Sequence, residues 1–247
     1  VADGRPERSG DVLARLLPRA AEEPEPSVLV AVAHALGRAQ DPRTRPTLVD
    51  LADHADDAVR LAAVQGLPGA AATTDEALAT ATEPDVVAAL VAATRDEVGA
   101  IRDWATFGLG QLRATGPTVD DALLDRTADP HVDTRAEALM ALAERRDQRV
   151  VRHLLRELAD PDVGTLVLRA AGRLADPSLH DALVAVVARC DPADLDDPGS
   201  YASVAHRAAL RCHPDAAAEA EQVEVGLLAS LEAVAVPGDD GERVATS

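Results

Sequence analysis

The sequence predicts an all-α protein, built as an array of about six helix pairs, and three observations carry this prediction. An Ala-rich phrase ending in Leu recurs along the chain, and a second apolar segment separates successive copies. The composition is 47% hydrophobic but only 1% aromatic, so the interior must consist of Ala, Val and Leu. Small side chains let helices pack closely, whereas a β-sandwich draws on aromatic and β-branched residues.

The recurring phrase is a small hydrophobic residue or Thr, then Arg, then an Ala-rich stretch and a Leu seven residues after the Arg. It contains Arg60, Arg102 and Arg135, while the copies at 31–36 and 168–174 have no Arg seven residues before their Leu. The matching leucines are Leu36, Leu67, Leu109, Leu142 and Leu174, and three of their four intervals are close to 32 residues. Repeats of this length indicate stacked supersecondary units, which usually form binding surfaces.

The apolar segments between these phrases complete each pair, and we expect them to be the first helices. They lie at 47–52, 86–91, 122–124, 150–155 and 179–184. Acidic-Pro steps precede the predicted helices, where the acid would cap free N–H groups and Pro would fit the first turn. These steps are Asp41-Pro42, Glu83-Pro84, Asp129-Pro130, Asp160-Pro161 and Asp176-Pro177.

The two ends of the array differ from its middle. Residues 1–27 are expected to be an N-terminal capping region, with a helix over about 11–21, and residues 28–187 carry the best repeats. A loop over 191–200 precedes a last predicted pair within 201–235, with helices over 201–211 and 216–234. The prediction is one domain over 1–235 with a disordered tail over 236–247.

Charge and cysteine content narrow the function classes. The net charge is −19, from 43 acidic residues and 24 cationic ones, all of them Arg. This balance argues against nucleic acid and anionic membrane surfaces as partners. No apolar run reaches a membrane span, and two cysteines are too few for a disulfide scaffold, so we expect reduced thiols and a cytoplasmic protein.

Asp96 and Asp129 each stand six residues before an Arg, with the Asp in a turn and the Arg in the following helix. This pattern resembles HEAT repeats, in particular the short bacterial phycobilisome-lyase-type repeats, and the run 98–110 is similar to stretches of actinobacterial HEAT-repeat proteins. The resemblance covers about 28–187. It implies a right-handed α-α superhelix whose second helices line a concave, partner-binding face. His54 replaces the Asp, and Leu166 or Val167 the Arg, in two units, so a continuous Asp–Arg ladder is not expected there.

The three repeated arginines are partner-binding candidates with two interpretations. Arg60, Arg102 and Arg135 could form a positive stripe that binds an acidic partner. Alternatively, each guanidinium bonds turn carbonyls and the Asp of a neighbouring unit, as a structural ladder of charge-assisted bonds. The second interpretation is favoured.

The remaining partner-binding candidates are Asp103, Trp104 and Glu137. Trp104 and Phe107 are the only Trp and Phe of the chain and stand three residues apart on one predicted helix. Trp is frequent in binding hot spots, so an exposed Trp104 would be a strong contact residue. The same spacing is typical of a core stripe, and burial is the favoured expectation for both rings.

No sequence motif indicates a catalytic, cofactor-binding or metal-binding site, and we expect no catalytic residues, no cofactor and no metal site. Cys190, His206, Cys212 and His213 lie in one region, but their spacing matches no zinc pattern. Close carboxylate pairs are expected by chance among 43 acids.

The sequence therefore predicts a non-catalytic scaffold or regulator that binds a protein partner through the concave face. Two alternatives stay open. Some HEAT-like folds act as tetrapyrrole lyases or DNA glycosylases, although a glycosylase would need a basic groove. An acidic surface could also imitate nucleic acid if its carboxylates cluster on one exposed face.

Overall fold

The computed structural model describes residues 6–71 and 84–215, with side chains from residue 13 onwards. These residues form α-helices and short 3-10 helices, and within them there is no strand. The α-helices are α1 (Pro6–Glu22), α2 (Pro26–Ala39), α3 (Arg45–Leu51), α4 (Asp57–Ala71), α5 (Pro84–Ala93), α6 (Gly99–Gln111), α7 (Pro117–Arg126), α8 (Val132–Glu144), α9 (Val151–Leu158), α10 (Thr165–Leu174), α11 (His180–Val187) and α12 (Tyr201–Arg211). The predicted all-α fold is confirmed.

The described helices form six consecutive pairs, from α1 with α2 to α11 with α12. The five recurring leucines all lie in the even-numbered helices and are buried, so the repeat phrase does mark the second helix of each pair. The helix over 201–211 is present as α12 and packs against α10 and α11. Its predicted pairing with a helix over 216–234 stays a prediction. The predicted helix over 216–234, the tail and residues 1–5 lie outside the described residues.

The second helices α2, α4, α6, α8, α10 and α12 pack directly on one another along the array. Contacts between successive first helices are much sparser. Because the array is more tightly spaced on the side of the second helices, these helices lie on its inner side.

Small residues permit the tight spacing of the second helices. A Cβ placed on Gly37 of α2 would lie 2.5 Å from the Cα of Gly66 in α4. A Cβ on Gly172 of α10 would lie 3.1 Å from the Cα of Ala208 in α12. Side chains larger than hydrogen at these points would push the helices apart.

Asp residues close the turns between helices, although not always as helix caps. Asp41 and Asp176 accept a bond from the N–H two residues on and begin 3-10 helices, Pro42–Thr44 and Pro177–Leu179. Asp129 and Asp160 make the same bond, but α8 and α10 begin three and five residues later, at Val132 and Thr165. These two carboxylates therefore stabilise turns rather than cap helices, because they accept the N–H of a residue within the Pro-containing turn and not an N–H of the helix. Glu83 lies outside the described residues.

The contact between α2 and α4 predicts that Gly37→Ala destabilises the fold. The added methyl group would collide with the backbone of Gly66, so we expect the free energy of unfolding to fall by about 1 to 3 kcal/mol, measured by urea denaturation. Gly99→Ala is the matched control, since a Cβ there meets its nearest neighbour, His131, at 3.5 Å, an ordinary contact. Equal stability of the two variants would show that the Gly37 contact does not limit helix spacing.

Candidate functional site

Three arginines connect successive helix pairs in the same way. The Nη1 of Arg60 donates to the carbonyl oxygens of His54 and Ala55, at 3.0 and 3.1 Å, in the turn before its own helix. Its Nε and Nη2 donate to both carboxylate oxygens of Asp96, at 2.8 and 3.2 Å, in the next unit. Each guanidinium thus fastens a turn of one pair to the turn of the next.

Arg102 and Arg135 repeat this arrangement. Arg102 donates to the carbonyl oxygens of Asp96 and Glu97 and to both carboxylate oxygens of Asp129, at 2.7 and 2.9 Å. Arg135 donates to the carbonyl oxygens of the Asp129 turn and, across the repeat, to Glu157 at 3.0 Å. We call the three arginines with Asp96, Asp129 and Glu157 the Arg ladder.

Residue changes at both ends explain where the Arg ladder stops. His54 accepts the N–H of Asp56 through Nδ1 at 3.0 Å, so it closes its turn as an Asp would. It needs no negative charge because the preceding unit has Leu29, not Arg, at the matching position. At the other end, Arg135 pairs with Glu157 of α9, three residues before Asp160 of the next Asp-Pro turn, and Val167 stands where the next Arg would be.

The guanidinium N–H groups of the three arginines already donate to acceptors within the protein. A positive stripe that binds an acidic partner would need these donors to be free. The Arg102 side chain is 12% exposed and that of Asp129 is 0% exposed. Asp129 also receives a bond from Arg126 at 2.8 Å. Burial opposes ionisation of Asp129, but bonds from Arg102 and the His131 N–H outweigh it and lower the pKa to about 2. The geometry corresponds to the structural ladder for Arg60, Arg102 and Arg135.

Trp104 and Phe107 are exposed, so the expectation that both lie in the core was wrong. Trp104 is 40% exposed and Phe107 37%, and their rings meet edge to face with centroids 5.7 Å apart. The buried stripe of α6 instead contains Ile101, Ala105 and Leu109. Helices α4, α5 and α8 cover α6 on its other sides, so the side with Trp104 and Phe107 faces out along the inner surface.

Half-buried carboxylates stand beside this aromatic pair. Asp103 of α6 and Glu137 of α8 line the same groove between second helices, together with Asp133. Burial, reinforced by the negative charges of Asp103 and Asp133, raises the pKa of Glu137 to about 7. Burial also raises the pKa of Asp103, and its Oδ1 is buried without a hydrogen-bond partner among the described residues. Glu137 therefore changes charge near neutral pH, and Asp103 retains an unused acceptor.

Two grooves meet at Glu137. The first, of about 450 Å³, contains Asp103, Asp133 and Glu137, and the second, of about 350 Å³, runs past Phe107 to Met140 and Leu166. Sequence reasoning missed Met140 and Leu166, because single apolar residues on a helix carry no signal of exposure.

Of the predicted candidates, the structure brings together Asp103, Trp104 and Glu137, which with Phe107 we call the α6–α8 surface. It assigns the three arginines to the ladder.

The class of protein follows from this geometry: an all-α solenoid in which charged residues connect successive helix pairs. Residues 13–110 match the family model for HEAT repeats, so the first three helix pairs, from α1 to α6, are HEAT repeats. The match begins within the region predicted as a cap, and the pairs beyond residue 110 continue the same packing. The finer assignment to phycobilisome-lyase-type repeats stays a prediction.

Similarity to individual proteins supports the same class. A stretch of 106 residues is 27% identical to Protein YibA of Escherichia coli K12, and equally to YibA of strain O157:H7. It covers 43% of this chain and 38% of YibA, so the match spans about two fifths of the curated relatives.

Two solved structures share the fold. The crystal structure of E. coli YibA aligns with a TM-score of 0.65 at 20% identity, over 84% of this chain and 71% of YibA. That of an engineered protein aligns with a TM-score of 0.57 at 18% identity, over 80% of this chain and 95% of the other. At these identities the similarity concerns the fold alone.

Residues 6–71 and 84–215 show three further features. They contain no helix with the length and apolarity needed to cross a membrane. They contain no group of three or more His, Cys, Asp or Glu residues placed to hold a metal ion. Cys190 and Cys212 are free thiols, and Cys212 is buried.

The Arg ladder predicts a large effect for Arg102→Ala. Removing Arg102 takes away two charged bonds to the buried Asp129 carboxylate and leaves Arg126 as its remaining cation, so we expect the free energy of unfolding to fall by about 2 to 3 kcal/mol at pH 7. Because the pKa of Asp129 is lowered, the pair stabilises the fold above about pH 4, and this contribution disappears as the pH falls towards 2. The loss caused by Arg102→Ala should therefore shrink in urea denaturation at pH 2.5.

Arg43→Ala is the control for this prediction. Arg43 pairs with Asp41 at an exposed site, where ion pairs contribute about 0 to 1 kcal/mol. A similar loss in both variants, or a loss by Arg102→Ala that does not depend on pH, would contradict a stabilising role of the ladder.

Glu137→Gln is expected to stabilise the protein at high pH. The folded protein holds the Glu137 proton up to about pH 7, whereas the unfolded chain releases it near 4.5, so wild-type stability falls as the pH rises through this interval. Gln keeps the shape without the buried charge. The variant should therefore be more stable than wild type at pH 8 and similar to it at pH 4, in thermal unfolding. Glu144→Gln, exposed on the same helix, is the control.

If Glu137→Gln shifts the unfolding temperature equally at pH 4 and pH 8, a buried charge at Glu137 does not explain the change in stability.

Proposed function

We propose that this protein is a non-catalytic HEAT-repeat scaffold or regulator that binds a protein partner through the inner, concave surface formed by its second helices. The observation that carries the proposal is the exposed pair Trp104 and Phe107 on that surface. They are the single Trp and the single Phe of the chain, and they stand together on one helix. Trp is strongly enriched among residues that dominate binding energy at protein interfaces.

The edge-to-face packing of the two rings supports this role. Each ring limits the rotation of the other, so less side-chain entropy would be lost when a partner covers them. The grooves on both sides of Glu137 provide concave space next to the rings, with Met140 as an adaptable apolar wall. A partner could thus bury the aromatic pair and enter the adjacent groove.

The carboxylates of the α6–α8 surface indicate the chemistry of that partner. Glu137 is half-buried and carries its charge above about pH 7. A Lys or Arg of the partner would pair with this carboxylate and could lie against the face of Trp104. We therefore propose a partner segment that combines an apolar residue with a cationic one.

Neither alternative function gains a specific observation. Imitation of nucleic acid would be favoured by a continuous face of exposed carboxylates, but the inner surface also carries exposed Arg side chains on α10 and α12. The lyase alternative rests on the resemblance of fold.

Changing Trp104 and Phe107 together to Ala should abolish capture of the physiological partner. The experiment is a pull-down from cells of the source organism with the full chain, analysed by mass spectrometry. Both rings are exposed, so the variant should fold, which circular dichroism would verify. The control is Leu155→Ala with Val184→Ala, two exposed aliphatic residues on the first helices α9 and α11.

Proteins retained by wild type and by the control, but lost from the Trp104 and Phe107 variant, are the expected result. Their binding can then be measured through the fluorescence of Trp104, the single Trp of the chain. Retention of the same proteins by all three baits would refute binding at the α6–α8 surface.

A further inference from the structure

Four arginines line a third groove on the inner surface, which adjoins the groove past Phe107 and shares Met140 and Glu144 with it. Arg169 and Arg173 lie four residues apart on α10, and Arg207 and Arg211 have the same spacing on α12. All four side chains are exposed and line a groove of about 390 Å³ between α8, α10 and α12. We call this the Arg groove.

Close packing brings the two pairs of arginines together. Gly172 lies between Arg169 and Arg173 in sequence, and a Cβ there would touch Ala208, next to Arg207, at 3.1 Å from its Cα. The backbones of α10 and α12 therefore nearly meet, and the long Arg side chains flank the contact on both helices. The Cδ of Arg211 would lie 3.8 Å from the same Cβ, so this side chain borders the contact, and all four arginines line the groove beside it.

The charge of the Arg groove is largely uncompensated. Glu144 is the single carboxylate among the residues that line it. Arg207 donates to the Ser203 hydroxyl and to the carbonyl oxygen of Pro198, and both acceptors are neutral, so these bonds orient the guanidinium without neutralising it. Within the described residues, Arg169, Arg173 and Arg211 have no hydrogen bond or ion pair.

This situation is the opposite of the Arg ladder. There every guanidinium has a carboxylate partner, in a chain with 43 acidic and 24 cationic residues. In the Arg groove, four cations stand beside one acid despite the strong overall excess of negative charge. Four neighbouring cations repel one another, which costs folding free energy, and a surface patch of one sign attracts and orients ligands of the opposite charge.

We propose that the Arg groove binds an acidic segment of a partner polypeptide, with carboxylates at alternate positions of an extended chain. Arginines four apart on a helix are separated by about 6 Å along its axis. Alternate residues of an extended chain are separated by about 6.6 Å and point to the same side. An Asp or Glu at every second position would therefore match the spacing of the arginines, with each carboxylate accepting two parallel N–H bonds.

Peptide carboxylates fit the surroundings better than a phosphate backbone does. The net charge of −19 repels a polyanion over most of the surface, and Asp103, Asp133 and Glu137 lie further along the same inner side. A nucleic acid binds through many successive phosphates and would extend beyond four cations into this region. A short acidic segment could stay within the groove. The proposal rests on other residues than the α6–α8 surface, so each can fail without the other.

A fluorescence anisotropy titration tests the Arg groove with the full chain and a labelled peptide of alternating Glu and Ala. Arg169→Glu and Arg173→Glu, made separately, should each weaken binding by about tenfold or more, because an attraction becomes a repulsion. Arg156→Glu is the matched control: it makes the same charge change at an exposed Arg on the first helix α9, outside the groove. It should bind like wild type, and affinity should fall between 50 and 300 mM salt.

Three results would overturn the proposal. The first is equal loss of binding in Arg156→Glu and Arg173→Glu, since the attraction would then come from the whole surface. The second is tighter binding of a single-stranded DNA oligomer of the same charge. The third is self-association of the wild type, seen in sedimentation velocity and abolished by Arg173→Glu, since a second copy would then occupy the groove. Circular dichroism verifies folding, and no loss is expected because both side chains are exposed and unbonded.

Discussion

The close approach of successive second helices is the constraint on which the rest of the structure depends. Gly37 against Gly66 and Gly172 against Ala208 allow backbones to come nearly into contact, which side chains of ordinary size would prevent. Because the first helices are spaced more widely, the second helices form a continuous inner surface. The α6–α8 surface and the Arg groove both lie on these second helices.

Close packing leaves the turns between helices to be fixed by polar bonds. The Arg ladder does this by joining the carbonyl oxygens of one turn to a carboxylate of the next unit. Such bonds place a charge where it would otherwise be costly to bury, and they set the position of one pair relative to its neighbour. The arginines of the ladder and those of the Arg groove therefore differ in whether an internal carboxylate pairs with them.

The inner surface changes its chemistry along the array. Aromatic rings on α6 are followed by half-buried carboxylates between α6 and α8, and then by exposed guanidinium groups on α10 and α12. A partner that extends along this surface would meet apolar, negative and positive regions in a fixed order, which gives directional recognition. The similarity to YibA concerns the fold alone.

The sequence by itself determined the class of fold and the helix pairs, because the Leu and Ala periodicity follows from the burial of one helical stripe in every repeat. It also predicted the ladder, since an Asp six residues before an Arg places both at one turn. It could not determine the exposure of Trp104 and Phe107, because residues three apart share a helix face whether that face is covered or open. Only the packing of α4, α5 and α8 around α6 decided which side of α6 is exposed.

The pairing of Arg135 with Glu157 and the meeting of four arginines across α10 and α12 likewise required the tertiary structure. Distances between different helices depend on side chains that lie far apart in sequence.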